Sequence, residues 1–145
     1  MICGGLALNI YGIPRMTIDI GLLLDLTKEN IAAFQQTLYK LKYKPRLPFD
    51  LTKLSDKSLR TDYIKNKNLV AFSYYKQNSK FVQLDVLLDS PLAFDEMWNN
   101  KHIKKINGFS LYLVSVDHLI KMKQYSDRIQ DRDDIILLTK FKKKK

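Results

Sequence analysis

Two short apolar runs each carry a single carboxylate: Ile18-Asp19-Ile20-Gly21-Leu22-Leu23-Leu24 and Val82-Gln83-Leu84-Asp85-Val86-Leu87-Leu88. Runs of this length, rich in branched side chains, read as strands. On an extended backbone alternate side chains share a face, so Asp19, Gly21 and Leu23 fall on one side and Ile18, Ile20 and Leu22 on the other. An ionised carboxylate set in such a strand costs free energy unless a cation or several donors meet it. Two such acids on neighbouring strands of one sheet would converge on a divalent cation, and hard oxygen ligands favour Mg²⁺. Taken singly, each acid also has an ordinary explanation. Asp19 would pair with Arg15, and Asp85 would cap a turn or meet a lysine at a strand edge.

The rest of the chain supplies elements to place around these runs. Met1-Ile2-Cys3 reads as the end of a strand that starts upstream, followed by Gly4-Gly5 and a short helix over Leu6 to Tyr11, stopped by Gly12 and the Ile13-Pro14 step. Thr27 caps a helix whose Ile31, Phe34, Leu38 and Leu41 form one stripe, ending near Tyr43 before Lys44-Pro45. Arg46 to Lys67 reads as loop with a short helix near Leu51 to Lys57. Leu69 to Tyr75 and Phe81 to Leu88 form an expected antiparallel hairpin. Pro91 to Trp98 suggests a helical turn, and Ile103 to Ile106 and Phe109 to Val114 a second hairpin across Asn107-Gly108, the favoured type I′ pair. Ser115 caps a helix carrying Leu119, Ile120, Met122 and Tyr125, and a last helix turns Ile135, Ile136, Leu138 and Phe141 inward. The order predicts an α+β fold with a short mixed sheet flanked by helices.

Bulk properties narrow the class. The 145 residues, 46% hydrophobic and 28% charged, fit one folded domain. Of the 25 Lys and Arg, five lie in the last six residues, and without them the formal charge falls from +10 to +5. Residues 140–145 read as a solvated basic tail after a domain over residues 1–139, so basicity alone does not specify nucleic-acid binding. Cys3 is the only cysteine, which excludes an intrachain disulfide and fits a reducing, cytoplasmic setting. His102 and His118 make no zinc pattern with it and read as surface or interfacial residues. No apolar run is long enough to span a membrane, and the first residues lack the basic region and cleavage site of a signal peptide.

The segment GGLALNIYGIPRMTIDI, the acid-bearing strand VQLDVLL and the helix LIKMKQYSDRIQDRDDI together resemble the nucleotidyltransferase superfamily, in particular its bacterial abortive-infection and toxin–antitoxin branch. The resemblance covers about Ile2 to Asp25, Val82 to Asp89 and Val114 to Leu138. It implies the nucleotidyltransferase-like fold, binding of a nucleoside triphosphate with Mg²⁺, and transfer of a nucleotidyl group to a hydroxyl on protein, RNA or a small molecule. By position, Asp19 and Asp85 would hold the metal, and Gly4, Gly5, Arg15 and Thr17 would contact the nucleotide. Lys123 would neutralise phosphate charge, with Arg128, Asp131 and Asp134 following it as in the family's helix.

The chain departs from that pattern at Gly21, where the family carries its second acid. Losing one of three carboxylates is expected to slow transfer by orders of magnitude. Asp25 shares the face but lies roughly 20 Å along the strand, too far to substitute. Two other readings therefore stand beside the enzyme. One is a catalytically degenerate nucleotide-binding partner in a toxin–antitoxin or defence system, and the other is a basic RNA-binding module.

Overall fold

The computed structural model describes residues 1–76 and 82–144. Among them are six α-helices and seven strands, a mixed α+β fold. The chain divides into two compact units, Ile18–Asp89 and Met1–Thr17 with Ser90–Lys145.

In the Ile18–Asp89 unit, four strands lie in the order β3 (Tyr43–Pro45), β4 (Ala71–Lys76), β5 (Gln83–Leu87), β2 (Asp19–Leu22). β2 and β5 run parallel, with Asp19 opposite Gln83 and Gly21 opposite Asp85. β4 pairs antiparallel with β5 and with β3. The period-2 pattern sorts the side chains. Phe72, Tyr74, Leu84, Val86 and Leu88 enter a core with Ile31 and Leu38 of α2 (Lys28–Lys40) and Leu51 and Leu54 of a 3₁₀ turn, Leu51–Ser55, and Ile20, Leu22 and Leu24 pack against it. The alternate residues, Asp19, Ser73, Gln83 and Asp85, belong to the other face and are half-buried.

In the other unit, β1 (Ile2–Cys3) runs parallel to β7 (Phe109–Leu113), which pairs antiparallel with β6 (His102–Ile106). Asn107 and Gly108 take φ of 49° and 81°, the left-handed values a type I′ turn needs. Helix α1 spans Gly4–Tyr11, and a short helix α4 spans Phe94–Asn99. Helices α5 (Val116–Ser126) and α6 (Ile129–Lys143) pack together. Ser115 caps α5 by accepting from the His118 N–H at 3.4 Å. Cys3, Ala7, Leu8, Met97, Leu113, Val114, Leu119 and Leu138 are buried.

Several expectations need correction. In residues 46–67 the short helix expected near Leu51 to Lys57 is the 3₁₀ turn Leu51–Ser55, but the expected loop beyond it is α3 (Lys57–Lys67), capped by Asp56, whose carboxylate accepts from the Leu59 N–H at 2.7 Å. The Lys44-Pro45 step that was to end a helix forms β3, with Pro45 tolerated on a strand that has only one partner among the described residues. In α2, Leu41 lies beyond the helix and is exposed, and in α6 Ile136 is exposed as well. Leu138 is buried and Ile135 and Phe141 half-buried as expected, and the same inward stripe also carries Asp131 and Asp134. Lys140 to Lys143 continue that helix rather than forming a loose tail, as suits good helix formers whose charge favours a helix C-terminus. His118 is buried, with Nε2 3.6 Å from Glu96 Oε1. The first hairpin's turn and Phe81 lie outside the described residues. No helix among the described residues is long and apolar enough to cross a membrane.

Candidate functional site

Asp19 and Asp85 are brought together. They lie on neighbouring parallel strands, on one face, offset by two residues of register. One interstrand spacing and two residues of rise put their Cα atoms about 8 Å apart, within reach of a shared ion. Gly21 occupies the position beside Asp85, where a third acid would complete a cluster. Gln83, two residues before Asp85 and therefore on its face, donates from Nε2 to both Asp85 oxygens at 2.9 and 3.1 Å. Arg46 in turn donates from Nη2 to Gln83 Oε1 at 2.9 Å. Each carboxylate oxygen has two acceptor sites, so Gln83 fixes the Asp85 side chain and leaves it able to bind a cation. The sequence reading missed Gln83 and Arg46, although strict alternation marks Gln83 as a neighbour of Asp85.

The fit to magnesium is partial. Among the described residues no group of three or more His, Cys, Asp or Glu side chains is placed to hold a metal. Mg²⁺ keeps several waters and is commonly held by one or two carboxylates plus substrate phosphates, so the Asp19 and Asp85 pair suits an ion that arrives with a triphosphate. Two clefts among the described residues, of about 480 and 250 Å³, are lined by other residues.

The residues expected to contact nucleotide belong to the other unit. Gly4 opens α1 with φ of +66°, a conformation side chains disfavour. At Gly5 an added Cβ would lie 2.8 Å from Thr17 Oγ1 and 2.9 Å from its Cβ. Both glycines thus have a local steric reason, and Thr17 packs on the start of α1.

Arg15 pairs with Asp134, its Nε 2.8 Å from Oδ1, and donates to Gln130 Oε1 at 3.2 Å and to the Met16 carbonyl. Asp134 Oδ2 in turn meets Lys123 Nζ at 2.5 Å, and the same ammonium donates to Asp131 Oδ1 at 2.9 Å. Asp131 Oδ2 accepts from Ser126 at 2.5 Å and from Arg128 Nε at 2.9 Å. Lys123, Asp131 and Asp134 are all buried. Burial alone would raise the Asp131 pKa, but the hydrogen bonds from Arg128, Ser126 and Lys123 outweigh it and hold the carboxyl well below its ordinary range. Lys123, Asp131 and Asp134 therefore form a buried ionic knot joining α5, α6 and the Arg15 segment. Ser126 is the member the sequence reading missed.

No protein-family model matches the chain, and no curated protein matches it either.

Proposed function

We propose that this chain is a magnesium-dependent nucleotidyltransferase of low activity, moving a nucleotidyl group from a nucleoside triphosphate to a hydroxyl of a protein, an RNA or a small molecule. The observation that supports it is the register that sets Asp19 and Asp85 on one face of neighbouring parallel strands. In this reading Asp19 and Asp85 hold the ion, Gln83 fixes the rotamer of Asp85, and Arg46 fixes Gln83. Bound magnesium supplies charge neutralisation on the phosphate oxygens. The acceptor hydroxyl attacks the α-phosphorus in line, its proton passes to solvent or a nearby carboxylate, and pyrophosphate leaves. Lys123 enters as a support for α5 and α6, since its ammonium is already held by Asp131 and Asp134.

Gly21 favours a second reading, a nucleotide-binding partner in a toxin–antitoxin or defence system that has lost transfer. Two measurements separate the readings. Calorimetry with ATP, GTP, CTP and UTP in Mg²⁺ is expected to show saturable binding of at least one, abolished in Asp85→Asn, and radiolabelled nucleotide incorporation is expected to be slow and to increase in Gly21→Asp. Gly21→Asp also clusters three carboxylates, so it should lower thermal stability in EDTA and recover it with Mg²⁺. Binding without incorporation in either form would favour the degenerate partner, and absence of binding to all four triphosphates would remove both readings.

A further inference from the structure

On the opposite face of the β3-β4-β5-β2 sheet, away from Asp19 and Asp85, helix α2 and strands β3 and β4 border an open cleft of about 480 Å³. That volume lies in the range typical of small-molecule sites, roughly 300 to 1,000 Å³. Its wall includes Tyr39, Tyr43 and Tyr74, with Gln35, Gln36 and Lys40 beside them. Tyrosine rings offer flat apolar faces for stacking. Glutamine amides offer a donor and an acceptor side by side, suited to the polar edge of a planar ring. Asp50 reaches the Gln35 and Tyr74 end of the cleft from behind its wall, while at the other end Lys40 stands in the wall and Lys76 Nζ lies 6.0 Å from the Tyr43 ring centre.

The second observation is at Tyr74. The residue is 3% exposed, and among the described residues its hydroxyl meets no partner in good hydrogen-bond geometry, with the Gln35 side chain its polar neighbour. A buried hydroxyl left without a partner is unfavourable, a cost removed when a partner arrives. Burial pushes the phenol up to about 12 against the opposing effect of the Gln35 side chain, with the Asp50 charge also raising it, so at neutral pH it offers a proton to an acceptor.

The geometry points to this cleft as a binding site for a small, planar, anionic aromatic molecule, its ring against the tyrosines, its polar edge on Gln35, Gln36 and the Tyr74 hydroxyl, and its charge toward Lys40. Two sources share that chemistry, a nucleoside monophosphate and an aromatic carboxylate. The site is independent of the proposed transfer activity, and the test is run in EDTA so that cation-dependent binding is silent. Amide and side-chain NMR shifts of the full chain are followed during titration with adenosine 5′-monophosphate, with benzoate, and with cyclohexanecarboxylate and inorganic phosphate as non-aromatic controls.

Saturable shifts around Tyr43 and Tyr74 with an aromatic ligand and none with the controls are expected. Which of the two aromatic ligands binds identifies the source. Tyr39→Ala and Lys40→Ala, both at exposed positions, should weaken binding severalfold without unfolding the chain. Tyr74→Phe should weaken it by about tenfold, the loss of one hydrogen bond, while leaving the melting temperature unchanged or higher. Absence of saturable shifts with both aromatic ligands, equal shifts from cyclohexanecarboxylate, or an affinity indifferent to all three substitutions would overturn the assignment.

Discussion

Lys123 shows how a single side chain is tied into its surroundings. Its ammonium is the shared partner of Asp131 and Asp134, both buried, so removing it takes a cation from each and leaves Asp131 to Arg128 and Ser126 and Asp134 to Arg15. Breaking one side of a buried pair typically costs about 3–5 kcal/mol. Lys123→Met should therefore lower the unfolding free energy by an amount of that order in urea titration, and a loss under 1 kcal/mol would contradict the buried knot. Gly5→Ala tests a different constraint, the 2.8 Å approach to Thr17, which overpacking arguments set at about 1–3 kcal/mol. A melting temperature unaltered by that substitution would show that Thr17 yields easily. The sequence marked Lys123, Arg128, Asp131 and Asp134 by resemblance, but not their burial. An i, i+3 pair of aspartates looks like a solvated face until the opposing cations of α5 and the Arg15 segment are known.

At the scale of elements, what was legible was what is local. The Asn107-Gly108 turn dictates the β6–β7 hairpin because two consecutive left-handed residues suit only a few residue types, and Ile106 opposite Phe109 follows from that turn. Gly108→Ala forces a methyl group onto φ of +81° and should cost roughly 1–2 kcal/mol, read as faster amide exchange in both strands with little change in the Ile18–Asp89 unit. The acid-bearing strands were legible for the same reason, since alternation alone sorts Asp19 and Asp85 from the core. Their register was not, because pairing across more than sixty residues is set by the packing of Ile20, Leu22, Leu84 and Val86. Helix α3 escaped notice because none of its residues is fully buried, leaving only Tyr63 and Ile64 to touch the core. Its cap, Asp56 three residues before Leu59, was the available signal. Strand β3 is three residues long and exists through its pairing with β4.

For the whole molecule, acid is the informative perturbant. The Asp131 carboxyl sits below its ordinary value in the folded state, so its contribution to stability is complete above the unfolded pKa of about 3.9 and is lost as pH falls toward the folded value. Urea unfolding followed against pH should show stability declining below about pH 4, with a shallower decline in Asp131→Asn, which starts from a less stable protein at pH 7. Parallel slopes for the two proteins would place the acid sensitivity elsewhere. The cores of the two units need not respond alike. Cys3, 0% exposed at the start of α1, belongs to only one of them. A thiol reagent added to native protein can react only when that region opens, so the labelling rate is a clock for one unit alone. Set beside a probe in Ile18–Asp89, it reveals which part of the chain lets go first.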